Sequence, residues 1–128
     1  METVAMQAII VDDSKAMRAI LRNMMEDLGF AVWEAGGGAE ALDLLRHQGR
    51  PDVALVDWNM PGMSGVDLIR QMRADPLLEG LRILMVTTEV EAARVAVALQ
   101  AGAQEYLMKP FTAETLQEKL SLLGLRKG

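Results

Sequence analysis

With 128 residues, 51% of them hydrophobic, the chain is long enough to bury one ordinary core and too apolar to remain disordered. It contains no cysteine, which excludes a disulfide framework and a thiolate metal site, and no run approaches the roughly 20 apolar residues of a membrane span. The formal net charge is −5 and the basic residues are scattered, with only Arg126 and Lys127 adjoining at the tail, so a nucleic-acid partner is not expected. The start, Met1-Glu2-Thr3-Val4, lacks the pattern of a signal peptide, and the expected location is the cytoplasm.

Short apolar runs alternate with amphipathic stretches. Ala8 to Val11 reads as a strand ending in Asp12-Asp13. Ser14 can cap a helix with apolar positions at Met17, Ile20, Leu21, Met24, Met25 and Leu28, which Gly29 ends. Phe30 to Trp33 reads as a second strand, Gly36-Gly37-Gly38 as a turn, and Ala41, Leu42 and Leu45 mark a second helix. After Pro51-Asp52, Val53 to Val56 is a third strand that stops at Asp57, and Asn59 to Gly62 is a loop. Val66 to Met72 is helical, Pro76 punctuates, and Ile83 to Val86 is a fourth strand. Glu91 to Ala101 reads as a helix closed by Gly102, and Glu105 to Met108 as a fifth strand followed by Lys109-Pro110. Thr112 caps a last helix with Leu116, Leu120 and Leu123, ended by Gly124.

Five strand–helix units in strict alternation predict an α/β fold with a parallel sheet, right-handed crossovers and helices on both faces. The first, third and fourth strands are continuously apolar, as strands buried on both faces must be. The expectation is one domain over residues 1–128 with no output domain. The ten methionines fall mostly at core-like positions and read as flexible filling, and Trp33 reads as packing.

In an open parallel sheet, ligands bind outside the carboxyl ends of the strands. Here those ends carry Asp12 and Asp13, Asp57, Thr87 and Lys109. An acidic pair after a strand often serves only as a helix cap, and a lysine before proline is usually solvated, but all five converge on one rim. Three crowded carboxylates need a cation, and hard oxygen ligands without histidine or cysteine favour Mg²⁺ over zinc. A carboxylate is also a nucleophile toward phosphorus. Phosphoryl transfer then needs alignment and charge neutralisation, which Mg²⁺, the Lys109 ammonium and the Thr87 hydroxyl can supply.

The segments Val11-Asp12-Asp13-Ser14, Val56 to Gly62, Met85 to Glu89, Gln100 to Ala103 and Tyr106 to Thr112 together resemble the receiver domains of two-component response regulators, over nearly the whole chain. The single-domain chemotaxis regulators are the nearest in pattern. The resemblance implies a flavodoxin-like fold with strand order 2-1-3-4-5. It implies that Asp57 accepts a phosphoryl group from a histidine kinase, that Asp13 ligates Mg²⁺ directly and Asp12 largely through water, and that the Asn59 backbone carbonyl is a further ligand. Thr87 and Lys109 match the phosphate-sensing pair, Tyr106 matches an aromatic switch, and the bond before Pro110 is expected cis. Asn59 and Glu89 match positions that tune dephosphorylation. Phosphorylation then favours one of two pre-existing states. The output is expected on the face of the fourth helix, fifth strand and fifth helix, where Val95, Leu99, Tyr106 and Lys119 are candidate contacts. A flagellar-motor switch protein is the implied target, with a phosphatase as a further partner. The chain is expected to be monomeric, with dimerisation on phosphorylation an open option.

Thr88 stands where relatives usually carry alanine or glycine, so its bulk bears on access to the pocket. Gly37 replaces a common acid, and Ala92-Ala93 replace residues that are often basic in chemotaxis regulators. Other readings are weaker. Gly36 to Ala41 fits a loose dinucleotide fingerprint but follows the second strand instead of the first. An aspartate-based phosphatase would carry an acid where Asn59 stands. A phosphorelay intermediate, or a receiver-like adaptor that is never phosphorylated, remains open beside the chemotaxis reading. His47 reads as a surface residue without a phosphotransfer role.

Overall fold

The computed structural model of the chain describes residues 5–88 and 92–125. Glu89, Glu91 and the Arg126-Lys127 pair lie outside the described residues. The elements are β1 (Gln7–Val11), α1 (Lys15–Asp27), β2 (Ala31–Ala35), α2 (Gly38–Gln48), β3 (Val53–Asp57), α3 (Gly65–Ala74), a 3₁₀ turn (Pro76–Leu78), β4 (Arg82–Thr87), α4 (Ala92–Ala101), β5 (Glu105–Met108) and α5 (Ala113–Leu122). Among the described residues no helix is long and apolar enough to cross a membrane.

The strands form one parallel sheet in the order β2-β1-β3-β4-β5. Because side chains alternate along a strand, one sheet yields two cores. Ile9, Val11, Ala54, Val56, Ile83 and Met85 face α2, α3 and α4, where they meet Ala41, Leu45, Val66, Ile69, Met72 and Ala98. Ala8, Ile10, Leu55, Leu84, Val86 and Leu107 face α1 and α5, against Leu21, Met25, Leu116 and Leu120. This is the doubly wound α/β architecture, flavodoxin-like in strand order. Met25, Met60, Met72 and Met85 are buried, as expected of core filling, and Trp33 packs against the first core.

The helix starts follow the sequence signals. Ser14, Ser64 and Thr112 each accept a hydrogen bond from the backbone N–H three residues on. The second strand differs from expectation: it runs from Ala31 to Ala35, not from Phe30 to Trp33. Phe30 instead completes the end of α1. Its N–H donates to the Met25 carbonyl at 3.0 Å and that of Gly29, at φ +95°, to Glu26 at 2.9 Å. Both Phe30 and Met25 are buried, so the aromatic that suggested a strand is the apolar clasp of a Schellman end. Gly38 is likewise the first residue of α2, packed on Met63, and not part of a free turn. The α3 and β4 segments each extend one or more residues beyond their apolar runs, and the Pro76 turn had no expected structure.

Candidate functional site

The strand order reverses direction between β1 and β3, and the crevice outside their carboxyl ends receives the side chains singled out above. Asp12 and Asp13 follow β1, and Asp57 closes β3. Carboxylate oxygens of the three lie within 4.8 Å of one another. Lys109, in the loop after β5, enters from the other side. Its Nζ donates to Asp12 Oδ2 at 3.2 Å and to Asp57 Oδ1 at 3.3 Å. The Lys109 backbone is fixed by its N–H to the Thr87 carbonyl at 2.8 Å, and the following bond to Pro110 is cis, as expected.

Burial differs among the three acids. Asp12 is 1% exposed and Asp57 8%, whereas Asp13 is open to solvent. Asp12 also accepts the Ser14 N–H on Oδ1 at 2.9 Å, a side-chain turn that leads the chain into α1, whose cap is Ser14 and not an acid. Desolvation pushes the Asp57 carboxyl above the usual carboxylate range, the Asp12 charge adds to the rise, and the Lys109 ammonium pulls it back, with Asp13 a smaller upward influence. Among the described residues no buried side-chain nitrogen or oxygen lacks a partner. Three carboxylates of one charge sign, hard oxygen donors with one side open to solvent, suit a divalent cation such as Mg²⁺ that keeps several waters.

Thr87 is buried at the end of β4, 2% exposed, beside the crevice. Asn59 is exposed and lines a shallow cleft of about 350 Å³ with Asp13, Trp58, Met60, Pro61 and Ser64. Thr88 is exposed, immediately after Thr87. Tyr106 is half-buried on β5, with Lys119 Nζ 4.7 Å from its ring centroid. Lys119 is not a loose surface cation: it also pairs with Glu105 at 2.9 Å. Tyr106, Thr87, Trp58, Met85, Arg94, Val95 and Ala98 enclose a cavity of only about 10 Å³. His47 is exposed, as expected.

Three supporting contacts were not read from the sequence. A Cβ on Gly65 would lie 2.1 Å from the Asp57 carbonyl oxygen, so only glycine lets α3 start against the backbone of the acid. Arg73 donates to the Gly102 carbonyl from Nε at 3.0 Å and Nη2 at 2.8 Å, and to Leu81 from Nη1 at 2.6 Å. Arg18 donates to the Asp12 carbonyl at 2.7 Å. The close Gly65 contact had a weak signal in its position after Ser64, but the two arginines read as ordinary solvated helix charges.

A doubly wound sheet with an aspartate-lined crevice and an opposed lysine at its strand ends defines an α/β domain with an acidic pocket at the switch point of its strand order. Residues 8–121 match the model of the response regulator receiver domain, and the chain belongs to that family. It is 48% identical over 116 residues to the chemotaxis protein CheY of Pseudomonas aeruginosa, covering 90% of this chain and 93% of that one. It is 47% identical to the chemotaxis protein CheY-3 of Vibrio cholerae, over 90% and 88% of the two chains. The solved structure of Vibrio cholerae CheY4 superposes with a TM-score of 0.88 at 32% identity, over 94% of this chain and 99% of that one. Receiver domains of this kind are switches of two-component signalling, with an acidic pocket for Mg²⁺.

Proposed function

We propose that this chain is a phosphorylation-activated response regulator, with Asp57 as the acceptor. The supporting observation is the seating of Asp57, largely buried between Asp12 and the Lys109 ammonium, with exposed Asp13 completing the acidic group. An Asp57 carboxylate oxygen attacks the phosphorus of a phosphohistidine from a histidine kinase. The new O–P bond forms as the P–N bond breaks, and the imidazole leaves with that electron pair and takes up a proton. Lys109, already 3.3 Å from Asp57, meets one phosphoryl oxygen, and the Thr87 hydroxyl another. Mg²⁺, held by Asp13, Asp57, the Asn59 carbonyl and, through water, Asp12, would neutralise the remaining charge. Raised basicity and the opposed lysine both fit a carboxylate that is a nucleophile instead of an inert structural ion pair.

Thr87 and Tyr106 form the switch in this reading. The cavity between them, about 10 Å³, does not admit a phenol ring, so inward rotation of Tyr106 goes together with a shift of Thr87 or α4. The output face is α4, β5 and α5, where Leu99 and Met108 are 44% and 40% exposed and Val95, Tyr106 and Lys119 are half-buried. The curated relatives are chemotaxis proteins, which supports a chemotaxis regulator; in this reading it acts in the cytoplasm as a monomer on a flagellar-motor target, with a phosphatase resetting it. Asn59 and Glu89 would set the phosphoryl lifetime, and Thr88, exposed at the pocket's edge, its access.

The test is a titration with Mg²⁺ and then beryllofluoride or acetyl phosphate, read by the fluorescence of Trp58, which adjoins Asp57. Asp57→Asn removes the response and leaves the Trp33 background. A mass gain of one phosphoryl group, absent in that variant, is expected. Neither signal in the native chain would refute the reading and leave a receiver-shaped adaptor, with Thr88→Ala the first variant to try.

A further inference from the structure

The carboxyl end of β1 is gripped by a side chain that the chemistry above does not use. Arg18 of α1 donates from Nη1 to the Asp12 carbonyl oxygen at 2.7 Å and from Nε to Glu34 Oε1 at 3.2 Å. Glu34 lies on β2, opposite Ile10 in the register, and the Asp12 N–H donates to the next residue of that strand, Ala35, at 3.1 Å. Arg22, one turn further along α1, donates from Nη1 to Glu34 Oε2 at 2.5 Å. The side chains of Arg18 and Glu34 are 18% and 28% exposed, so this is a partly buried fork and not a solvated surface pair. The Arg22 hydrogen bond, with Arg18 adding to it, holds the Glu34 carboxyl below the usual carboxylate range.

A peptide unit is planar, and its carbonyl and N–H point in opposite directions. A guanidinium fixed on the Asp12 carbonyl therefore sets the orientation of the whole Asp12–Asp13 peptide, and with it the direction in which the Asp13 side chain leaves the backbone. That matters because Asp13 is exposed and its carboxylate has no hydrogen bond or ion pair among the described residues. Its place beside Asp12 and Asp57 depends on the backbone alone.

We infer that Arg18, seated on Glu34, is a positioning residue for the divalent-cation site, holding Asp13 where it completes the group with Asp12 and Asp57. The inference rests on the reading of those three acids as the cation site. It is separable from a charge effect, because the two have opposite signs. A cation near a cation site repels the metal, so loss of Arg18 as a mere charge tightens Mg²⁺, whereas loss of Arg18 as a support weakens it.

The experiment is a Mg²⁺ titration of the full chain followed by backbone amide signals, for the native protein, Arg18→Met, Arg18→Lys and Glu34→Gln. In Arg18→Met the dissociation constant for Mg²⁺ rises about five- to tenfold, at or just below the lower end of effects from groups that orient metal ligands, because Arg18 acts through the backbone and not on the ligand itself. The Asp13 and Ser14 amide signals also shift before any metal is added, while those of α5 stay in place. Arg18→Lys keeps the charge but not the two-pronged geometry and falls between the two. Glu34→Gln, which leaves Arg18 present but loosens its seat, weakens Mg²⁺ about twofold, and with Arg18→Lys it decides the matter if Arg18→Met does not fold. Native-like or tighter Mg²⁺ binding in these variants overturns the inference alone. Failure of the native chain to bind Mg²⁺ at all overturns the cation site and the inference together.

Discussion

Replacing Gly65 with alanine should destabilise the protein strongly, although glycine to alanine at a helix position ordinarily helps. A methyl carbon and a carbonyl oxygen settle at about 3.3 Å. A Cβ on Gly65 would stand 2.1 Å from the Asp57 oxygen and 3.2 Å from the Trp58 Cα, both backbone atoms that cannot rotate aside. The first turn of α3 must therefore retreat by about 1.2 Å (3.3 − 2.1). Val66, Leu68 and Ile69 on that turn are buried, at 5%, 0% and 0% exposure. A gap of that size forfeits at least a quarter of their dispersion contact, which is on the order of 1.5 kcal/mol each. Alanine returns about 1 kcal/mol through helix propensity, which leaves a net loss of about 3.5 kcal/mol. With a urea dependence of about 1.5 kcal/mol per molar, the unfolding midpoint falls by about 2 M. Gly37→Ala is the control: nothing lies within 4 Å of its Cβ position and its φ of −174° is extended, so its midpoint should move by less than about 0.5 M. Equal or greater stability in Gly65→Ala would refute the steric argument.

Two further outcomes follow from the charges. In Asp57→Asn without divalent cation, stability should exceed the native value near neutral pH. The folded Asp57 carboxyl binds its proton at higher pH than the unfolded one, so the native protein loses stability as pH rises from the ordinary carboxylate range through the raised value. Asparagine does not titrate, so the gain is small near about pH 4 and full near about pH 7; urea midpoints at both values check it, and a gain confined to the acid side would contradict it. Lys109→Met leaves two buried carboxylates facing each other without the ammonium that now sits 3.2 and 3.3 Å from them. It should cost about 2–4 kcal/mol at neutral pH without metal, a deficit that shrinks on acidification or with Mg²⁺. A constant deficit across those conditions in calorimetric melts would point to lost packing instead of charge.

The fold was legible because its strands are apolar runs with turn residues at both ends. The acids, Thr87 and Lys109 stood out because each ends such a run, and a parallel sheet puts all strand ends on one edge. What escaped is what depends on partners distant in sequence. Nothing local marks Phe30 as the clasp of α1 and not the start of β2, since an aromatic suits either. Arg18 and Arg73 look like solvated helix charges until the carbonyls of Asp12 and Gly102 are brought to them by the fold. Strand order itself came from family likeness, because apolar runs carry no record of their neighbours.

The uneven attachment of α4 has a mechanical consequence. Among the described residues α4 buries only Ala98, while α3 beside it buries Val66, Leu68, Ile69 and Met72. Its far end is moored: Arg73 holds the Gly102 carbonyl, and the Ala103 N–H returns to Ala98 at 3.0 Å. A rod moored at one end, with Ala98 its one fully buried side chain among the described residues and Ala101 and Val95 only partly covered, swings about that end more cheaply than α3 would. Uncovering the Ala98 methyl costs on the order of 1 kcal/mol, close to the worth of one new hydrogen bond in the crevice. The same swing of α3 would uncover four large side chains and cost several times as much. The fold thus has one compliant strut next to a rigid one, and a small input near Thr87 moves the first without loosening the second.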